Sequence, residues 1–175
     1  METEDRSFTA LPCKDFVEIL ASKAAVPGGG GASALVGSIG VALGHMVGSL
    51  TLGKKKYAAV EENIQRCQQQ ANALAKRLLD LMDEDARAFE PLSKAYGLPH
   101  ATPEETARKA QVMEQALLTA CGAPMEILRA CAEAIDLMAE YAAKGSRLAL
   151  SDAGAGAALL KGALQAASLN IYINA

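Results

Sequence analysis

Tryptophan is absent from the 175 residues, and only three Phe and four Tyr are present. A core with so few aromatics must be built from Ala, Leu, Ile, Val and Met, which favours closely packed helices over a β-sandwich. Histidine is equally scarce: His45 and His100 stand far apart, so neither a metal centre nor a Ser-His-Asp arrangement can be assembled from them. His45 reads as a satisfied buried histidine and His100, beside Pro99, as an exposed loop residue. The four cysteines (Cys13, Cys67, Cys121, Cys131) form no C-x-x-C pair, so they read as reduced thiols of a cytoplasmic protein and not as a disulfide frame or zinc site. No basic excess exists either. With 17 Lys and Arg against 20 Asp and Glu, the net charge of −3 excludes a general nucleic-acid binder. The N-terminus, METEDRSF, has no apolar run, so no secretory signal is expected.

What remains is helix. The length suits one domain over residues 1–175. A short amphipathic helix is expected over about 12–24, opened by Pro12. The glycine run then breaks the chain, and Ala32 to Leu52 reads as a second helix, apolar nearly all round. Tyr57 to Phe89 carries one apolar stripe (Val60, Ile64, Cys67, Ala71, Leu74, Leu78, Leu81, Met82) with Glu and Gln opposite; Pro91 should kink or end it. Thr102, Pro103 and Glu105 spell a capping box and open a helix to about Cys121. Gly122 and Pro124 should interrupt it before another segment runs to Ala143. A last helix starts at Ser151 or Asp152 and reaches about Ile173. Six segments with short connections predict an all-α bundle with long and kinked helices.

The stretch VPGGGGASALVGSIGVALGHMVGSLTLGKKKY, Val26 to Tyr57, is the part that needs explaining. Gly48 to Lys55 nearly spells a phosphate loop, but Lys55 stands where a magnesium-binding hydroxyl is required and no strand precedes it. A membrane span is suggested by the absence of charge from Ala24 to Gly53, yet Pro27, many glycines and His45 insert poorly, so no membrane partner is expected. A buried soluble helix fits better. Ala32, Gly40, Gly44 and Gly48 form a flat stripe, and interior glycines costing about 0.5–1 kcal/mol each imply a close-packed backbone, from the bundle or from a second subunit. Glycines at a helix mouth also expose N–H groups to a ligand, and Lys54, Lys55 and Lys56 supply cations at the far end.

These motifs, together with LMDEDARAF, LP-x-x-TPEE and SDAGAGAALL…ASLNIYIN, resemble the cyclodeaminase/cyclohydrolase family of folate enzymes across about residues 12–174. The resemblance implies an all-α homodimer, a tetrahydrofolate derivative as substrate, and no metal or tightly bound cofactor. It implies either 5-formiminotetrahydrofolate cyclodeaminase activity, slightly preferred and compatible with a separate formiminotransferase, or methenyltetrahydrofolate cyclohydrolase activity. A non-catalytic helical dimer that kept the fold is the alternative of another class. Two departures stand out. Gly31 replaces the Ser that usually follows PGGG, displacing the hydroxyl to Ser33, and family chains usually continue beyond the N-x-x-I-N segment whereas this one stops at Ala175.

Both reactions need a group that shuttles a proton and tolerates nearby positive charge, for which a partly buried carboxylate is suited. Asp83 and Asp85 are about 200° apart on a helix. Asp85 lies at the edge of the inner stripe, and the resemblance assigns it the catalytic role, with Asp83 second. The competing reading is a solvated acidic turn or an ion pair with Arg87. The resemblance further implies that Pro27, Gly28, Gly29, Gly30 and Ser33 approach the ligand, that Lys54–Lys56 meet the folate carboxylates, and that Ser151 and Asp152 contribute. Asp152 either holds the pterin amidine or caps its helix.

Overall fold

The computed structural model describes residues 7–175; the charged segment METEDR, where the absence of a secretory signal was expected, lies outside the described residues. Five α-helices follow a short 3-10 turn at Phe8–Ala10: α1 (Cys13–Leu20), α2 (Gly29–Ser49), α3 (Glu61–Tyr96), α4 (Pro103–Lys144) and α5 (Leu150–Asn174). The fold is all-α, and no strand occurs among the described residues.

The glycine run does not break the chain as expected. Gly29, Gly30 and Gly31 form the first turn of α2, with the Gly28 carbonyl accepting from Ala32 N–H at 3.0 Å. The helix ends at Ser49, and in the turn that follows Gly53 adopts φ +72°, a left-handed conformation that residues other than glycine resist. By length and apolarity α2 passes for a membrane span, yet its composition is accounted for by packing: Ala34, Val41 and Val47 are fully buried among α3, α4 and α5. Its glycines meet the bundle itself. A Cβ on Gly40 would stand 3.0 Å from the Gly156 carbonyl, and one on Gly44 would overlap Met138 and Tyr141. The flat stripe is therefore an internal seam, and the partners of α2 along it are α4 and α5, joined by Gln68 of α3 at Gly48.

Neither interior proline ends its helix. Pro91 lies inside α3, which runs on to Tyr96 because Leu92 and Ala95 are buried against Ala116 and Ala120 of α4. Pro124 lies inside α4, so the two predicted segments are one helix of 42 residues, and five α-helices replace six segments. A proline removes one backbone bond at a cost of about 3 kcal/mol. Here the ring is itself fully buried, and the neighbouring Ala123 and Ile127 belong to the main core, so packing offsets that cost. The capping box of α4 is present: Glu105 N–H donates to Thr102 Oγ1 at 3.2 Å, and Thr102 N–H donates to Glu105 Oε2 at 3.2 Å.

Candidate active site

Helix α5 runs antiparallel to α2, with Gly156 against Gly40 and Asn170 against Gly29. The bundle therefore has a glycine end, where α2 begins and α5 finishes, and a lysine end, where α2 finishes and α5 begins.

At the glycine end α3 brings Asp85 onto the first turn of α2. Gly31 N–H donates to Asp85 Oδ2 at 3.0 Å, and the carboxylate occupies the space a Cβ on Gly30 would need. Burial raises the Asp85 carboxyl above the ordinary range, and the Gly31 N–H only partly opposes this. A carboxyl so raised keeps its proton to higher pH than a solvated one, which suits a group that both accepts and returns a proton. Arg87 is exposed and Arg77 pairs with Glu84, so Asp85 has no ion-pair partner among the described residues.

Asp83 is turned to a different task, as the 200° separation requires. Its two oxygens accept from Ser7 Oγ at 2.7 Å and Phe8 N–H at 2.8 Å, tethering the N-terminal segment to α3. Ser33 is buried and donates to the Gly30 carbonyl at 2.7 Å, so its hydroxyl is engaged within the helix. At Gly31 a Cβ would meet only Pro27 at 3.5 Å and the Met82 carbonyl at 3.7 Å, ordinary contacts. The serine usual in the family would fit there.

Lys54, Lys55 and Lys56 are exposed at the other end, with Lys56 Nζ 5.5 Å from the Tyr57 ring centre. Ser151 and Asp152 share this end, since Ser146 N–H donates to Thr51 at 2.8 Å and Arg147 N–H to the Tyr57 hydroxyl at 3.2 Å just before α5. The cap of α5 is Ala149, with no side-chain cap bond, so Asp152 is not the cap; it is half-buried in the first turn. The 21 residues of α2 span about 30 Å. Within one chain, then, the candidate residues fall into two clusters: Pro27–Gly31 with Asp85, and Lys54–Lys56 with Ser151 and Asp152.

His45 is half-buried and lies 3.5 Å from both Ser49 and Gln68, which accepts from the buried Tyr141 hydroxyl at 2.8 Å. His100 is exposed. All four cysteines are free; burial pushes the Cys131 thiol up to about 11 and raises Cys67. A groove of about 510 Å³ between α3 and α4, lined by Leu74, Arg77, Asp136 and Glu140 among others, contains none of the candidate residues. Among the described residues, no three His, Cys, Asp or Glu side chains converge as metal ligands.

The family model for formiminotransferase-cyclodeaminase matches residues 12–175. The chain is 42% identical over 160 residues to a methenyltetrahydrofolate cyclohydrolase of Methylorubrum extorquens, an alignment covering 91% of this chain and 77% of that one. It is 31% identical over 170 residues to the formimidoyltransferase-cyclodeaminase of Sus scrofa, covering 97% of this chain and 31% of that longer protein. The crystal structure of a formiminotetrahydrofolate cyclodeaminase from Thermotoga maritima matches with a TM-score of 0.83 at 29% identity, over 94% of this chain and 78% of that one.

Proposed function

The chain belongs to the formiminotransferase-cyclodeaminase family, and on that premise we propose that it acts on the one-carbon group bridging N5 and N10 of tetrahydrofolate, with Asp85 as the proton-transferring group. The observation that carries this reading is the Asp85 carboxyl, raised by burial and held against the glycine turn by Gly31 N–H.

Of the two family reactions, the 42% identity to a cyclohydrolase favours hydrolysis of 5,10-methenyltetrahydrofolate. Water adds to the methenyl carbon, and Asp85 takes the proton released. As the bond from that carbon to N5 breaks, Asp85 delivers this proton to N5. The hydroxyl proton of the adduct is released to solvent as the formyl C=O forms, and 10-formyltetrahydrofolate leaves. Cyclodeamination, the activity slightly preferred on sequence, is the second reading, supported by the Thermotoga structure. There N10 attacks the carbon of the protonated formimino group, Asp85 takes the N10 proton and passes it to the amino group, and ammonia leaves as the 5,10-methenyl cation forms. Neither sequence of steps calls on a tightly bound cofactor. Absorbance of methenyltetrahydrofolate reports both reactions, falling in one and rising in the other, so assaying both substrates separates them.

The lysines enter through a second copy of the chain. Ile39 (47% exposed), Met46 (39%) and Leu50 (42%) leave an apolar stripe on the outer face of α2. A second α2 laid antiparallel along it brings its own Lys54–Lys56 beside this copy's Gly28–Gly31 and Asp85, and two equivalent sites result from the two-fold axis. The glutamate carboxylates of the folate would meet those ammonium groups. A homodimer thus reunites the two clusters that one chain holds about 30 Å apart.

A further inference from the structure

Asn170 projects from the last turns of α5 onto the first turn of α2. Its Nδ2 and Oδ1 both lie 3.1 Å from the place a Cβ on Gly29 would occupy. Gly29 and Gly30 are consecutive, so the Asn170 carboxamide and the Asp85 carboxylate flank a single turn, each in the room left by one missing side chain. Nδ2 donates to the Ala166 carbonyl at 2.9 Å, which fixes the end of the carboxamide that bears the protons. The second Nδ2 proton and Oδ1 have no partner among the described residues, and the residue is only half-buried.

We propose that Asn170 binds the cyclic-amide edge of the pterin ring. The inference rests on the folate reading above. One free donor and one free acceptor, side by side and oriented, complement a lactam with its carbonyl and adjacent N–H. In tetrahydrofolate the ring carbonyl at position 4 is the neighbour of N5. A ligand that presents its N5–N10 bridge to Asp85 therefore carries its lactam edge to the adjacent side of the same turn, where Asn170 stands. Asn170 touches the substrate away from the reacting carbon and sets both its affinity and its orientation.

Two probes that differ only at ring position 4, a 4-oxo folate and its 4-amino analogue, test this by titration with the full chain. The wild type prefers the 4-oxo compound. Asn170→Ala weakens 4-oxo binding by about 10–100-fold, the loss of one or two hydrogen bonds at a partly buried site. It also brings the preference close to unity and leaves the unfolding midpoint of the free protein unchanged. Asn170→Asp, which keeps the shape and loses the donor, also loses the preference, so the test survives if the alanine variant repacks. Unchanged affinity and preference in both variants overturns the inference, as does loss of preference in Asp152→Asn alone. A wild type that binds no 4-oxo folate and turns over neither substrate removes the folate reading itself; a wild type that does both, with Asn170 variants like it, removes only this inference.

Discussion

The Asp85 carboxylate lies where a Cβ on Gly30 would be, while Gly31 beside it has room for a side chain. Because the atoms in the way belong to the end of a side chain, Gly30→Ala should fold by pushing Asp85 aside. We expect turnover to fall by about 10²–10⁴-fold, the range that removal of a positioned acid–base group produces, with little change in unfolding midpoint. Gly31→Ser should keep near wild-type turnover. Steady-state rates and thermal unfolding of the two variants check both outcomes.

The buried carboxyl has a signature in stability as well. Asp85 is raised above its unfolded value, mainly by loss of hydration. Its stabilising contribution is complete below the ordinary carboxylate range and is lost as pH rises through the raised native value. Asp85→Asn should therefore be more stable than the wild type at neutral pH, and the difference should shrink to nothing as pH falls below the ordinary carboxylate range. Denaturant midpoints measured across that window give the comparison.

Gly44 is a packing position inside one chain, since a Cβ there would overlap Met138 and Tyr141. Gly44→Leu should lower stability by at least about 1–3 kcal/mol through overpacking. Guanidinium unfolding reads this, and a variant as stable as the wild type would show that α2 and α4 are not closely packed there.

A site shared between copies predicts complementation. Asp85→Asn and the triple variant Lys54→Ala, Lys55→Ala, Lys56→Ala should each be impaired alone. Mixed and reassorted, they should recover up to about a quarter of wild-type activity, because half the dimers are mixed and each of those carries one intact site. No recovery after verified subunit exchange would place Asp85 and its lysines in separate functions.

Much of this fold was legible because helical periodicity is a local signal. The stripe of α3 from Ile64 to Met82 and the Thr102–Glu105 box were both readable in the order of residues. Pro91 and Pro124 do not end their helices because a proline's effect is local, while the packing that carries each helix through, Leu92 and Ala95 on one side and Ile127 on the other, arises from helices brought together by the fold. Asp85 was accessible from its motif, and its separation from Asp83 followed from helical geometry. The glycine run was misread as a break because its compensation, the Asp85 carboxylate, comes from α3. Asn170 lies in the ASLNIYIN segment that marked the resemblance, but its place beside Gly29 follows only from the antiparallel pairing of α2 and α5. The distance between lysines and carboxylate, by contrast, was implicit in the length of α2.

On the reading proposed above, Asp85 transfers the proton at the bridging carbon of a folate. Turnover of methenyltetrahydrofolate and of 5-formiminotetrahydrofolate by the wild type and by Asp85→Asn, followed by methenyl absorbance, tests it most directly. The wild type should turn over at least one of them, and the variant, folded and at least as stable at neutral pH, should lose about 10²–10⁴-fold in rate. Wild-type rates in the folded Asp85→Asn variant would contradict it.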